Sequence, residues 1–230
     1  VALKFLPENL TRDSKAIERF SREARATAKL EHPNVVSILG VGEDADRHYI
    51  AMQFVSGGTL DAILQDKGRL NEEEAMRLIR DAARGLEAAH RMDIIHRDVK
   101  PENIMIDSYG TVKVSDFGLA TMRSAAESRL TLEGQIVGTP FTMSPEQCDG
   151  RPVDKRADIY SLGATFYRTL TGSWPFEAES AVAILMKHLH DPVPDPRTVA
   201  PSIGAASTAI CMRMMAKKPE QRYAGMVEAI

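Results

Sequence analysis

The sequence predicts an α+β fold in two parts, a small strand-rich N-terminal part with one helix and a larger, mainly helical C-terminal part. Residues 1–56 contain three runs rich in apolar and β-branched residues and one run with helical spacing. Most of the remaining sequence has the helical spacing of apolar residues, interrupted by short strand-like runs and one long polar stretch. Because Ser56, Gly57 and Gly58 break the pattern, we predict a domain boundary near Gly57, with domains of residues 1–56 and 57–230.

In the N-terminal part, residues 1–6 form a predicted strand and residues 14–30 a predicted helix. Apolar or small side chains repeat along one side of that helix, at Ile17, Phe20, Ala24 and Thr27. His32-Pro33-Asn34 ends the helix. Residues 35–41 and 48–55 then predict two neighbouring strands, separated by a turn at residues 42–46.

In the C-terminal part, residues 60–91 are mostly helical in pattern, and Asn71 followed by three glutamates is typical of a helix start. Residues 104–106 and 111–114 predict short strands, and residues 121–142 form a long irregular stretch of the kind that is usually functional. Further helices are predicted at residues 157–171, 181–190 and 203–216, with a proline-rich connector at residues 191–196.

Composition excludes several classes of partner. The 230 residues are 43% hydrophobic, which is sufficient for a substantial core, and the formal net charge is −3 with scattered basic residues. We therefore expect no nucleic acid partner and no membrane contact from this segment, since no apolar run approaches the roughly 20 residues of a membrane span. Cys148 and Cys211 are too few for a disulfide scaffold or a zinc site, which favours reduced thiols and a cytoplasmic location.

Four segments of the chain contain charged residues that could act together. Lys4 lies on the first predicted strand and Glu23 on the following helix. The segment His96-Arg97-Asp98-Val99-Lys100-Pro101-Glu102-Asn103 follows the long helical region, and Asp116-Phe117-Gly118 follows the last short strand. These segments together resemble the eukaryotic-type protein kinases, and with Met143-Ser144-Pro145-Glu146-Gln147 they most resemble the bacterial Hanks-type serine/threonine kinases.

The resemblance implies a bilobal kinase fold, with helix C on an incomplete N-lobe sheet and a mainly helical C-lobe. It also implies phosphoryl transfer from ATP, in which Asp98 accepts or orients the proton of the attacking hydroxyl and Lys100 neutralises the γ-phosphate. Asn103 and Asp116 are then the Mg²⁺ ligands, as hard oxygen donors. Lys4 would bind the other phosphates.

Further residues take roles from the same resemblance. Glu23 is the counter-ion of Lys4, and Thr139 bonds to the catalytic Asp and Lys, which favours serine or threonine on protein substrates. Glu146 and Arg222 form a structural pair, and Asp158 braces the catalytic loop. Met52 limits the depth of the adenine pocket, where backbone groups of Gln53 and Val55 meet the base; for the side chain of Met52, plain core packing is an equal interpretation.

The resemblance also suggests regulation. Arg97 precedes the catalytic Asp, and in relatives this Arg meets a phosphate on the activation segment. Ser124, Ser128 and Thr131 are the candidate acceptors, with Thr131 preferred because it lies nearest to Gly138-Thr139. Autophosphorylation of this kind would be helped by a homodimer.

The resemblance begins at the third strand of the family fold, so that no Gly-rich loop precedes Lys4. We expect the chain to be part of a longer kinase, truncated at its N-terminus. The competing interpretation is a short protein without the loop. Two further alternatives are a nucleotide-binding pseudokinase scaffold and an inactive fragment. A small-molecule phosphotransferase is a fourth, although such enzymes generally lack the segment at residues 138–146.

Overall fold

A computed structural model of the chain describes residues 1–7, 11, 13–45, 47–117 and 140–229, and the side chains of all of these except Arg19 and Glu23. The strands are β1 (Ala2–Phe5), β2 (Ile38–Asp44), β3 (Arg47–Met52), β4 (Ile104–Ile106) and β5 (Val112–Val114). The helices are α1 (Ser14–Thr27), α2 (Leu60–Lys67), α3 (Glu72–His90), α4 (Pro145–Cys148), α5 (Arg156–Thr171), α6 (Ala181–His190), α7 (Pro196–Val199) and α8 (Ala205–Met214). The predicted α+β fold is confirmed.

The N-terminal sheet has three antiparallel strands in the order β1-β3-β2. In this register Lys4 and Val41 both lie opposite Ile50, which is fully buried at the centre of the sheet. Helix α1 covers this face, and its Phe20 and Ala24 form a small core with Ile50 and Leu6. The predicted helical face at residues 17–27 is therefore the face that packs against the sheet.

The second strand begins and ends later than predicted. Val35 and Val36 do not belong to it: the amide of Val36 donates to the carbonyl of Val114 (2.9 Å), and Val35 forms an isolated parallel bridge to Val114. The strand runs instead through the predicted turn to Asp44, because β2 and β3 form a tight hairpin.

The predicted helical region of residues 60–91 divides into α2 and α3. Gly68, with φ of 74°, ends α2 in a conformation that favours glycine. Asn71 then caps α3, because its side chain accepts a hydrogen bond from the amide of Glu74 (2.9 Å). The buried face of α3 belongs to the main core together with α5.

Helix α5 is the central element of the C-terminal part. Fourteen of its 16 residues are buried, including several threonines. Their hydroxyls are satisfied within the helix, since Thr165 and Thr169 donate to the carbonyls of Ser161 and Thr165. A helix that is buried on nearly every side provides a fixed frame for the polar residues at its ends.

Within the described residues, no helix combines the length and the apolar character needed to cross a bilayer.

Candidate active site

Asp98 lies in the loop between α3 and a short 3₁₀ turn at Pro101–Asn103. Lys100 Nζ lies 2.9 Å from the Asp98 carboxylate. Asn103 Nδ2 donates to the Asp98 carbonyl (2.7 Å) and lies 3.3 Å from its carboxylate. Three of the four predicted catalytic side chains are therefore together, and the Asp98 carboxylate is held from two sides while 28% of its side chain remains exposed.

Asp158, fully buried in the first turn of α5, fixes the backbone that precedes Asp98. Its carboxylate accepts hydrogen bonds from the amides of His96 (2.8 Å) and Arg97 (2.8 Å), and it also contacts His90 Nε2 (2.7 Å). Arg97 has a positive φ of 67°, which is uncommon outside glycine. Such a backbone persists where its surroundings determine it, and Asp158 supplies part of that constraint.

His96 joins the Asp98 loop to the segment that contains Asp116. The His96 Nε2–H donates to the carbonyl of Ser115 (2.7 Å), while Nδ1 accepts from the amide of Asp98 (3.2 Å). These two bonds require the neutral ring with its proton on Nε2. The ring also packs against buried Phe117, with centroids 4.7 Å apart. The two loops are thereby held in one arrangement.

Asp116 follows β5 and also has a positive φ, of 66°. Its carboxylate lies 2.6 Å from Lys4 Nζ, so the ammonium on β1 and the carboxylate after β5 neutralise each other. The sequence predicted Glu23 as the partner of Lys4, but the Glu23 side chain is outside the described residues. Thr139, Ser124, Ser128 and Thr131 are outside them as well.

The side chains present fit a magnesium ion. Because Asn103 Nδ2 donates to Asp98, the amide oxygen of Asn103 is the atom left to bind a cation. This oxygen and the Asp116 carboxylate are both hard oxygen donors, the kind of ligand that suits an ion which takes the rest of its shell from phosphates and water. In the described part of the chain, no three His, Cys, Asp or Glu side chains form a cluster that could hold a metal.

Met52 lies at the end of β3 and lines a small cavity between α1, the sheet and the Asp116 segment. The cavity is lined by Ala24, Thr27, Val36, Ile38, Ile50, Met52, Asp116 and Phe117. After Met52, the amide of Gln53 donates to the Ser37 carbonyl (2.9 Å). Outside helices and strands, no backbone hydrogen bond between described residues uses the Gln53 carbonyl or the Val55 amide. These two groups are suited to the polar edge of a planar ligand.

Glu146 and Arg222 form a buried, bidentate ion pair with distances of 2.7 and 2.8 Å. Burial by itself raises the pKa of Glu146, but the hydrogen bonds and the positive charge of Arg222 outweigh it, so that the pKa lies below its usual value. Arg222 also donates to the carbonyls of Arg156, Ala216 and Lys217. The pair fixes α4 against the end of the domain.

Two residues at the site were not singled out from the sequence. His90 contacts Asp158 from the last turn of α3, and no sequence signal indicates this contact, since the two residues are far apart in the chain. Gln147 Nε2 donates to the carbonyl of Arg97 (2.8 Å). The capping-box spacing of Ser144 and Gln147 indicates their mutual contact, but no sequence signal indicates the contact of Gln147 with Arg97.

The two-part fold, with its charged loops at Asp98 and Asp116, places the chain in the class of protein kinase domains. The chain belongs to the protein kinase domain family, whose model matches residues 1–229.

Among curated relatives, it is 40% identical over 223 residues to the serine/threonine-protein kinase PrkC of Bacillus subtilis, with 97% of this chain and 34% of the relative covered. It is 40% identical over 228 residues to the serine/threonine-protein kinase PknB of Mycobacterium tuberculosis, covering 97% of this chain and 36% of the relative. A probable serine/threonine-protein kinase PknB of Lactococcus lactis is 39% identical over 228 residues, with 99% and 36% covered. The chain thus spans about a third of the length of these relatives.

Proposed function

We propose that this chain catalyses the ATP-dependent phosphorylation of serine and threonine hydroxyls on protein substrates. The observation that carries the proposal is the position of the Asp98 carboxylate, held by Lys100 and Asn103 and partly exposed. A loose phosphoryl-transfer transition state needs a carboxylate at the attacking hydroxyl and positive charge at the phosphate, and little else from the protein. The relatives named serine/threonine-protein kinases support the same activity.

Each catalytic side chain has a distinct role in this proposal. Asp98 orients the substrate hydroxyl and accepts its proton, while Lys100 moves from Asp98 to the γ-phosphate. Asn103 and Asp116 hold Mg²⁺, which when bound supplies positive charge to the phosphate oxygens. Lys4 then leaves Asp116 and binds the remaining phosphates of ATP.

The remaining predicted residues complete the substrate sites. Glu23 serves as the counter-ion of Lys4 once that lysine binds phosphate. Thr139 helps to orient the acceptor hydroxyl. The adenine ring lies against Met52, and its edge bonds to the Gln53 carbonyl and the Val55 amide.

We further propose that the segment after Asp116 is autophosphorylated, at Thr131 or Ser128, and that the phosphate binds Arg97. A homodimer would bring one copy's segment to the other copy's Asp98.

A cytoplasmic location is supported by the two free cysteines, Cys148 and Cys211.

The test measures transfer of labelled γ-phosphate from ATP with Mg²⁺, both to the full-length protein itself and to a basic protein acceptor. Asp98→Asn is compared with Asp61→Asn, which changes an exposed carboxylate on α2. We expect label on serine or threonine, reduced at least about 100-fold by Asp98→Asn and unchanged by Asp61→Asn. Label on tyrosine, or transfer that survives Asp98→Asn, contradicts the proposal. A folded protein that binds ATP without transferring phosphate would instead be a pseudokinase scaffold.

A further inference from the structure

The side-chain amide of Gln147 connects α4 to the Asp98 loop. Its Nε2 donates to the carbonyl of Arg97 (2.8 Å). Its Oε1 accepts hydrogen bonds from both the amide and the hydroxyl of Ser144, at 3.1 and 3.0 Å. The orientation of the amide group follows from these partners, because a backbone N–H can only donate and a carbonyl can only accept.

The residue that Gln147 contacts is the one that places Asp98. Arg97 has φ of 67°, and its amide is already bonded to the Oδ1 of Asp158 (2.8 Å). With Gln147 on its carbonyl, Arg97 is held through both of its backbone polar groups. A left-handed non-glycine residue is strained, and these two bonds help to hold Arg97 in this conformation.

The other end of Gln147 is fixed as firmly. Ser144 is fully buried, and its hydroxyl donates to the Oε1 of Gln147. Glu146, the residue before Gln147, is anchored by its bidentate pair with Arg222. The glutamine therefore extends from a rigid helical turn, and the serine in Ser144-Pro145-Glu146-Gln147 orients it.

We propose that Gln147 is a positioning residue that holds the Arg97 backbone and thereby the Asp98 carboxylate, with Ser144 as the group that orients it. The contact couples the end of the segment at residues 140–148 to the catalytic loop. Its kinetic consequence rests on the proposed kinase function, whereas the contact itself does not. Gln147 acts on the reaction through Arg97 and Asp98.

The test uses four single variants of the full-length protein and the double variant that combines Ser144→Ala with Gln147→Leu. Gln147→Leu removes the amide at similar size, and Gln147→Lys removes the contact to Ser144 but keeps a donor that can reach the Arg97 carbonyl. Ser144→Ala removes the hydroxyl that orients the glutamine. Gln65→Leu is the matched control, because Gln65 also makes a side-chain hydrogen bond (2.6 Å, to Asp61), but on the exposed face of α2.

Steady-state kinetics with ATP and a protein acceptor give the first readout. Gln147→Leu should lower kcat about tenfold, as expected when the Arg97 carbonyl loses the hydrogen bond from Gln147, with both KM values within about twofold of wild type. Gln147→Lys should return kcat to within about threefold of wild type, a rescue that a merely structural role for the glutamine would not give. Adding Ser144→Ala to Gln147→Leu should cause no further loss, since both act through one contact.

Hydrogen–deuterium exchange over residues 96–103 gives a readout that does not depend on activity. Exchange should be faster in Gln147→Leu than in wild type and unchanged in Gln65→Leu. Equal exchange in these two variants, or a kcat of Gln147→Leu within twofold of that of Gln65→Leu, overturns the positioning role. If the wild-type protein transfers no phosphate, the proposed function fails, and the exchange comparison alone then decides the role of Gln147.

Discussion

The guanidinium group of Arg222 donates five hydrogen bonds, two of them to the buried carboxylate of Glu146. Two nitrogens bond to the Glu146 carboxylate, and the same group donates to the carbonyls of Arg156, Ala216 and Lys217. A lysine has three donors at one point and cannot reproduce this planar set. A substitution of Arg222 that keeps the positive charge therefore does not keep these hydrogen bonds.

We expect Arg222→Lys to lower the free energy of unfolding by about 3–5 kcal/mol, because it leaves a buried carboxylate incompletely paired. The matched control is Arg151→Lys, in an exposed pair with Asp149 (2.8 Å), which should change stability by at most about 1 kcal/mol. Urea unfolding followed by circular dichroism measures both. Equal effects of the two substitutions would mean that the buried pair contributes no more than a surface pair.

His188 is buried on α6 and should make stability depend on pH. Burial, followed by the nearby charge of Lys217, lowers its pKa to about 3, and its Nδ1 lies 2.8 Å from Tyr160 OH. In the unfolded chain the pKa of His188 is near the usual value of about 6.5, so the unfolded chain binds a proton at a pH where His188 in the folded chain stays neutral. The contribution of His188 is therefore complete above about pH 6.5 and is lost as the pH falls towards 3.

Between pH 7 and pH 5 we expect the wild-type protein to lose about 2 kcal/mol more unfolding free energy than His188→Gln does. His190→Gln, on the exposed last residue of the same helix, should keep the wild-type pH dependence. The pKa of Lys217 is lowered to about 8 by burial, so this amine stays charged through the interval. Parallel pH curves for wild type and His188→Gln would contradict the assignment.

At the scale of residues, the sequence predicts those side chains whose residue type is required for phosphoryl transfer. Asp98, Lys100 and Asn103 were identifiable because their residue types and their spacing resemble those of the catalytic segment in protein kinases. The contacts of His90 and Gln147 were not, since each bonds to a residue more than 40 positions away and neither residue type is required by the reaction. Glutamine in particular is common on exposed helices, where it has no such role.

At the scale of elements, α3 fits against the Asn34 segment only because residue 85 is glycine. A Cβ at Gly85 would lie 2.3 Å from the Asn34 carbonyl oxygen. Asn34 in turn bonds to β5, through its side chain to the Val112 carbonyl (2.8 Å) and through its own carbonyl to the Val114 amide (2.9 Å). The helix that precedes the Asp98 loop and the strand that precedes Asp116 therefore meet at this point.

Gly85→Ala should lower the free energy of unfolding by about 1–3 kcal/mol through overpacking, although alanine favours a helix by about 1 kcal/mol over glycine. Gly40→Ala is the matched control, because a Cβ there would have no heavy atom within 4 Å. Thermal unfolding of both variants measures the difference. A Gly85→Ala protein as stable as wild type would mean that the Asn34 segment moves aside without cost.

The positions of helices and strands were predictable where the local sequence pattern is strong. They were less predictable where the position of a strand depends on which other strand it pairs with. Helix α6 matches its predicted range because capping and apolar spacing agree within the chain. The beginning of β2 was predicted wrongly because Val35 and Val36 have strand-like side chains but pair with β5 instead of β3. Apolar β-branched residues indicate an extended backbone, and the partner of that backbone depends on the tertiary fold.

At the scale of the whole molecule, the candidate nucleotide site is assembled from both parts of the chain. Lys4 comes from β1 of the N-terminal sheet, whereas Asp116 follows β5 next to the catalytic loop, and the two meet at 2.6 Å. The sequence predicted that both would bind ATP and Mg²⁺, but not that they would contact each other. A ligand that binds both should therefore stabilise the two parts together.

We expect Mg²⁺ with ADP to raise the thermal unfolding temperature and ADP with EDTA to raise it much less. At a nucleotide concentration of about 100 times Kd, the stabilisation is about 2.7 kcal/mol, which corresponds to an increase of roughly 5–10 °C for a domain of this size. Asp116→Asn should remove the part of the increase that depends on Mg²⁺, because a neutral amide binds the ion poorly. Asp61→Asn, on the exposed face of α2, should retain the full increase. An equal increase with and without Mg²⁺, or an unchanged response in Asp116→Asn, would exclude Asp116 as a magnesium ligand while leaving nucleotide binding at Met52, Gln53 and Val55 intact.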